Sequence, residues 1–367
     1  MNLTPRQRFL TAFEHREGDR VPIFDVPNNP ALYRREFGKE NYFLEGVPAV
    51  ILAKKLGLDA CMIPEGGYTA LISKRRNWLD NSRFKDELGV EYRCSESSWP
   101  LAVPVSPSIK SRQDWEKIVL PDPREDWRIE QIRLAVKEAH RGEKDDIALI
   151  AGIRSAFAVM YISMGLEALS MALYEDPELV MEMSDRLCCF WTESAIRCSE
   201  LGVDAVYIAN DMGLNNSTII SPDSLRKFFL SQFKKQVQEI KETGVKVILH
   251  SCGNINAIMD DIVFSGVDAY NNIQVIAGMN IAEIKRKYGN KLTLIGNVDC
   301  TNIMTSPDPN IIENAVMDTI RIASPGGGHI LATDHSFHQG IPLENVDAFI
   351  RAGRRWGKYP IEIPDKV

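Results

Sequence analysis

Lys246-Val-Ile-Leu-His-Ser-Cys-Gly-Asn254 is the stretch from which the rest of the chain can be read. Val247, Ile248 and Leu249 form a short apolar run, the pattern of a strand buried in a parallel sheet. The chain then turns polar and breaks at Gly253. His250 and Cys252 are two residues apart, so in extended geometry their side chains leave the same face. An imidazole and a thiol where a parallel strand empties into a loop make a metal-ligand or nucleophile pair. The same two residues also suit a hydrogen-bonded core His beside an inert Cys, and the arrangement of the remaining chain decides between these readings.

Working outward, Ser221-Pro-Asp-Ser caps a helix over 223–242 that leads into this strand. A helix near 255–264 leads on to the strand Asp268–Ile273. The alternation extends in both directions. Further strands are read at Arg20–Asp25, Leu58–Pro64, Ile147–Ala151, Asp204–Asp211, Lys291–Asp299 and Gly328–His335. The intervening helices are read at 4–16, 50–56, 127–139, 157–174, 176–200, 280–287, 309–322 and 343–356. A weak repeat marks three helix-to-strand turns: Leu56-Gly-Leu-Asp-Ala60, Leu201-Gly-Val-Asp-Ala205 and Ser265-Gly-Val-Asp-Ala269. The Gly suits a left-handed helix C′ position, and the Asp-Ala leads into the strand. Eight βα units with recurrent turn chemistry predict an α/β fold, a (β/α)8 TIM barrel, over a two-way wound open sheet. No GxGxxG follows the first strand, which removes the main support for a dinucleotide fold. The chain, 1–367, is read as one domain with an N-terminal helix. Residues 68–125 interrupt the alternation after the second strand with a hairpin arm at Glu87–Cys94 and many prolines; they are read as an insertion over the barrel mouth.

Composition narrows the function classes. A formal net charge of −7 and no basic block argue against nucleic acid or an anionic membrane as partner. No apolar run approaches the ~20 residues needed to span a bilayer, and no apolar h-region follows Met1, so no signal peptide is expected. The 7 Cys are scattered without a CxxC, the usage of a reducing compartment, so the expected location is cytoplasmic.

In such a barrel the chemistry sits at the carboxyl ends of the strands. Those ends carry Asp25, Glu65, Asp211, His250 with Cys252, Asn271 with Asn272, Asn297 with Asp299, and Asp334 with His335. His250, Cys252 and His335 offer three N/S ligands with a fourth position open, the pattern of a catalytic zinc site. One thiolate and two neutral imidazoles leave the ion a net charge of about +1, a Lewis acid able to polarise an ether or hydroxyl oxygen or to ionise a thiol. His338 is an alternative third ligand, Cys300 a further one, and Asp334 a hydrogen-bond partner for a ligating His. Asp211 and Glu65 are the expected catalytic groups, as general acid or substrate orienter. Asp25, Tyr207, Asn272 and Asn297 are the expected substrate contacts.

Several of these stretches resemble the uroporphyrinogen decarboxylase superfamily. They are Thr4–Phe13 followed by Arg20-Val-Pro-Ile, Lys246–Asn254, Leu294-Ile-Gly-Asn-Val-Asp299, and Gly328–Phe337 with Ile341–Val346. The resemblance runs along nearly the whole chain and implies a (β/α)8 barrel. True decarboxylases of the superfamily carry a Met-Arg-Gln-Ala-Gly-Arg segment after the first strand. Here Phe24-Asp-Val-Pro-Asn-Asn-Pro30 stands in that place, and Met62-Ile-Pro-Glu65 replaces an expected Phe-Ser-Asp. A porphyrinogen with eight carboxylates would meet Asp25 and Glu65 instead of cations. The other branch, the corrinoid-dependent methyltransferases, binds zinc through His-x-Cys and a later Cys. His250-Ser-Cys252 matches the first part, and His335 stands where the later Cys falls.

The resemblance therefore implies a zinc-dependent methyltransferase. It would move a methyl group between a small substrate (a methoxylated aromatic, or a thiol such as coenzyme M) and a corrinoid, that is a cobalamin, on a partner protein. This chain has no Asp-x-His-x-x-Gly cobalamin motif of its own. The expected partners are that corrinoid protein, the small methyl donor or acceptor, and a second copy of the chain in a homodimer. Two rivals remain: a metal-free decarboxylase acting on a tetrapyrrole or smaller acid, and a non-catalytic corrinoid- or tetrapyrrole-binding protein.

Overall fold

The structure is a computed structural model that describes residues 3–38, 45–67, 77–95, 102–142 and 144–363. Its strands, in chain order, are β1 (Ala60–Pro64), β2 (Asn77–Trp78), β3 (Arg83–Lys85), β4 (Glu91–Arg93), β5 (Val103–Ser106), β6 (Ala148–Arg154), β7 (Ala205–Ala209), β8 (Lys246–His250), β9 (Ala269–Asn271), β10 (Thr293–Val298) and β11 (His329–Thr333). Seven of them form one parallel sheet in the order β1-β6-β7-β8-β9-β10-β11. Neighbours in the chain are neighbours in the sheet, with helices between them, which makes a TIM-barrel-like α/β fold. These seven correspond to seven of the eight strands read from the sequence.

The eighth, Arg20–Asp25, does not form a ladder strand. It makes one parallel bridge, Ile23 with Leu331 of β11. Pro22 has no N–H to give, and the Ile23 N–H goes to the Asp59 carboxylate (2.7 Å) instead of to a strand. The segment still lies between β11 and the start of β1. Phe24 N donates to Leu331 O, Leu331 N to Pro22 O, and Asp59 N to Ile23 O.

That last contact belongs to a device used three times. Each Asp of the repeated Gly-x-Asp-Ala turns gives its N–H to a carbonyl and takes back the N–H of the same residue through Oδ2. Asp59 does this with Ile23, Asp204 with Leu149 and Asp268 with Val247; the returned bonds are 2.7, 2.9 and 2.8 Å. Two bonds to one residue fix the register between successive strands. The preceding glycines, Gly57, Gly202 and Gly266, have φ of 77°, 89° and 90°, the left-handed turn the repeat predicts. Cations sit on the same carboxylates: Arg8 and Arg20 on Asp59, Arg6 on Asp204, Lys241 on Asp268.

Alternation along the strands separates two packing faces. Val206, Ile208, Val247 and Leu249 pack outward with Phe233, Val237 and Ile240 of the helix Ser231–Glu242. Tyr207, Ala209 and Ile248 pack inward with Ala269 and Ile295. Because register pairs share a face, the row Arg154, Ala209, His250 and Asn271 runs across β6 to β9 at one level.

The excursion carries its own antiparallel sheet, β2-β3-β4-β5, where the sequence showed one hairpin arm. Phe84 and Tyr92 stack at 5.4 Å to form its small core. It is tied down beside the carboxyl end of β1 by Arg128, which gives Nη1 to Glu65 (2.8 Å) and Nη2 to both carboxylate oxygens of Glu87 (2.8 and 2.7 Å). The Arg128 and Glu65 side chains are both 0% exposed. The helix expected over 157–174 is broken at Gly165 (φ 78°) into Ala156–Met164 and Leu166–Glu175, bent by 107°. Among the described residues no single helix is long and apolar enough to cross a membrane.

Candidate metal centre

β8 ends at His250, and the loop Ser251–Asn254 that follows is held in close quarters. Gly213 N donates to Cys252 O, Asn254 N to Leu214 O, and Ser251 Oγ accepts from Met212 N (2.9 Å). Gly253 has φ 79°, and a Cβ there would run into the Gly213 backbone, so glycine is required at this point. The result fixes Cys252 beside His250: Sγ lies 3.6 Å from Nε2. His335, at the end of β11, completes a group whose three ligand atoms all lie within 4.8 Å of one another. Among the described residues this is the one His/Cys/Asp/Glu group of its kind.

The donor set suits a tetrahedral metal, and the His250–Cys252 spacing matches one edge of such a site. With Zn–S near ~2.3 Å and Zn–N near ~2.05 Å, the N···S edge of a tetrahedron is about 3.6 Å, matching the 3.6 Å between His250 and Cys252. The tautomers fit as well. Asn271 gives Nδ2 to Ile295 O (3.3 Å), which turns its Oδ1 toward His250 Nδ1 (2.8 Å) and Tyr207 OH (2.9 Å). Tyr207 OH also meets Nδ1 directly. Nδ1 therefore carries the proton, and the Nε2 lone pair faces Cys252. His335 Nδ1 is engaged by Ser336 Oγ (2.9 Å), which leaves Nε2 to ligate. Burial, followed by the neighbouring His250, pushes the His335 imidazole down to about 4, so it is neutral, the form that binds metal.

Burial first, and Asp211 next, push the Cys252 thiol well above its ordinary value. A dication reverses that balance and ionises the thiol. Asn272 stands ready for the thiolate, with Nδ2 3.2 Å from Sγ, while its Oδ1 is buried without a partner. Asp211 accepts Cys252 N–H (2.9 Å) and lies 3.6 Å from His250 Nε2. Burial pushes its carboxyl up, and the Cys252 N–H and the Arg154 charge pull it back down. Asp211 is placed beside the ligand group, where it can orient a substrate or exchange a proton with it.

The structure brings His250, Cys252, His335, Asp211, Tyr207 and Asn272 together. It does not bring in the others. Glu65 is paired with Arg128 inside the protein. Asp25 is buried and takes the N–H groups of Val26, Phe337 and Thr333 (2.8, 3.0 and 2.8 Å), so it pins the β11 loop instead of facing a substrate. Asn297 Nδ2 donates to Ile273 O (3.2 Å). Asp334 is not the partner of His335: its oxygens accept Cys300 N (2.8 Å) and Val275 N (3.0 Å). His338 is no ligand, since Nδ1 accepts Gly340 N–H and Nε2 faces Cys300 O, each at 3.1 Å. Cys300 is buried away from the group and stays out of it.

Two site residues escaped the sequence reading. Asn271 was seen only as a polar strand end. Arg154 closes β6 in the same register row as His250 and was not singled out. The signal was present: strand three runs apolar from Ile147 to Ile153 and then places a cation where every other strand end offers an acid, an amide or a ligand.

The uroporphyrinogen decarboxylase (URO-D) family matches residues 84–356. The chain is similar to the uroporphyrinogen decarboxylase of Magnetococcus marinus, 23% identical over 367 residues, covering 96% of this chain and 97% of that one. The enzyme of the same name from Chlorobium phaeobacteroides is 25% identical over 268 residues, 70% of each chain. Among solved structures, a methyltransferase from Methanosarcina mazei superposes with a TM-score of 0.73 at 20% identity, covering 96% of this chain and 99% of that one. That likeness concerns the fold. A family match across well over half of the residues settles the broader relationship: the chain belongs to the uroporphyrinogen decarboxylase family.

Proposed function

We propose that the chain is a cytoplasmic, zinc-dependent methyltransferase of this family, exchanging a methyl group between a small substrate and a corrinoid carried by a separate partner protein. The observation that carries the reading is the His250–Cys252–His335 group, three convergent ligands with matched tautomers at the carboxyl end of the sheet. Bound there, zinc supplies a Lewis acid of net charge about +1 with a position left for the substrate heteroatom. His250 is aligned by Tyr207 and Asn271, the Cys252 sulfur is met by Asn272, and Asp211 orients the substrate or exchanges a proton with it. Arg20–Asp25 lies between β11 and β1, and the β2–β5 sheet is tied beside the carboxyl end of β1 through Glu65, Arg128 and Glu87. The Methanosarcina mazei methyltransferase, alike in fold over nearly its whole length, supports this branch.

The relatives named uroporphyrinogen decarboxylase favour the second reading, a metal-free carboxy-lyase. The charge argument against it from Asp25 and Glu65 no longer holds, because both carboxylates are engaged within the protein. The missing arginine segment at 24–30 still stands against it. Zinc-loaded protein mixed with cob(I)alamin and a panel of methoxylated aromatics and methyl thioethers decides the matter by absorbance. Conversion to the methylated corrinoid is expected with at least one donor. No conversion with any of them, together with CO2 release from uroporphyrinogen, would overturn the proposal.

A further inference from the structure

We infer that the cleft beside Cys252 receives the body of the substrate, and that this body is uncharged and accepts hydrogen bonds. The inference rests on the methyltransferase reading above. The cleft measures about 530 Å³ and lies between the loop that follows β7 and Gln274, just past the end of β9. That volume falls within the roughly 300–1,000 Å³ of small-molecule sites. Cys252 lines the cleft, so a molecule lying in it reaches the ligand group.

The walls are fixed in advance. Leu214 N donates to Ser217 O (2.7 Å), Ile219 N to Met212 O (2.8 Å) and Asn254 N to Leu214 O (2.6 Å). Gly213 and Thr218 add an antiparallel bridge. The opposite wall is joined to the ligand loop, because Gly253 N donates to Gln274 Oε1 (2.8 Å). With Oε1 engaged, Nε2 is the open end of that amide, and among the described residues it meets no acceptor. A wall already in place spares a ligand the cost of ordering it.

The chemistry of the lining selects the ligand. Besides Leu214 and Cys252 it offers Asn215, Asn216, Ser217 and Gln274, three carboxamides and a hydroxyl. No Arg, Lys or His is among the described residues that line it. An anion placed there would exchange water for neutral dipoles and face the Cys252 sulfur, a thiolate once metal is bound, with no cation to offset the loss. A neutral molecule with carbonyl, ether or sulfonyl oxygens takes the amide N–H groups without that loss. The lining thus sets a neutral methyl donor apart from a carboxylate, a sulfonate or a porphyrinogen.

The test is calorimetric binding to the zinc-loaded full chain, using 4-methoxyphenyl methyl sulfone and 4-methoxybenzenesulfonate. The two probes are alike in shape, are weak zinc ligands, and differ in charge. The sulfone is expected to bind at least about 10-fold tighter. Gln274→Glu keeps an acceptor for the Gly253 N–H and removes the Nε2 donor; it should weaken the sulfone roughly 10-fold with zinc content unchanged. Asn216→Lys, on the exposed loop, should strengthen the sulfonate about threefold and change the sulfone by less than about twofold. Equal or tighter binding of the sulfonate by the parent protein, or binding of neither probe, would overturn the inference. So would an unchanged sulfone affinity in Gln274→Glu, a parallel loss of zinc there, or an unchanged sulfonate affinity in Asn216→Lys. The two proposals fail separately. Gln274-dependent sulfone binding without methyl transfer from any donor leaves this inference standing and removes the methyltransferase reading. Transfer from anionic donors in preference to neutral ones does the reverse.

Discussion

The Asn271 side chain sets the direction from which His250 can be approached, and its removal should be felt at the metal. Asn271→Ala deletes the acceptor of His250 Nδ1–H at 2.8 Å and the bond that Tyr207 OH makes to Asn271 at 2.9 Å. The imidazole then loses the bond that fixes both its tautomer and its ring angle. Loss of such a partner costs metal sites about 10- to 100-fold in affinity, which is about 1.4–2.7 kcal/mol. Tyr207→Phe keeps the Asn271 bond and should cost only a few-fold. Asn271→Asp keeps the acceptor and should bind at least as well as the parent protein. Zinc dissociation constants from chelator competition measure all three. An Asn271→Ala protein with unchanged affinity would refute the argument, because the tautomer would then be set elsewhere.

Two further predictions concern the frame. Arg128→Met strands the Glu65 carboxylate, 0% exposed, without its partner and should cost about 3–5 kcal/mol in urea unfolding; because Arg128 also holds Glu87, protease cleavage within 77–95 should speed up too. A loss below about 1 kcal/mol would contradict a buried pair. His329 is fully buried between Ser324 Oγ and Gly296 O, and burial pushes its imidazole down to about 4. The unfolded chain, with an ordinary His near ~6.5, binds the proton first, so stability falls as pH drops below that value and the loss due to this residue levels off below about 4. The loss attributable to this residue is roughly 2 kcal/mol at pH 5. Comparing urea midpoints at pH 7.5 and 5 for the parent and His329→Asn isolates it, and equal pH slopes would contradict it.

The parallel strands were legible because burial on both faces writes itself as short apolar runs, and because the Gly-x-Asp-Ala turns recur. What the turns did was not legible. The sequence shows an Asp before the strand, but only the structure shows it bonding Ile23, Leu149 or Val247 twice. Arg20–Asp25 read as a strand from its apolar run, yet Pro22 and the Asp59 carboxylate remove the bonds a ladder needs. The ligand group was legible because His250 and Cys252 are near neighbours in the chain and strand ends converge. The carboxylates misled for the same reason. Position at a strand end puts Asp25 and Glu65 in the right region, while their bonding is decided by residues far away in sequence, Thr333 and Phe337 for one and Arg128 for the other. Arg154 went unread because the strand's apolar run stops before it, and register alone places it level with His250.

The central claim is that His250, Cys252 and His335 together hold one metal ion. Metal analysis of the purified protein, beside Cys252→Ala and His335→Ala, tests it most directly. About one zinc per chain in the parent protein is the predicted result, lost or much weakened in both variants. No zinc in the parent protein after supplementation, or full zinc in either variant, would contradict it.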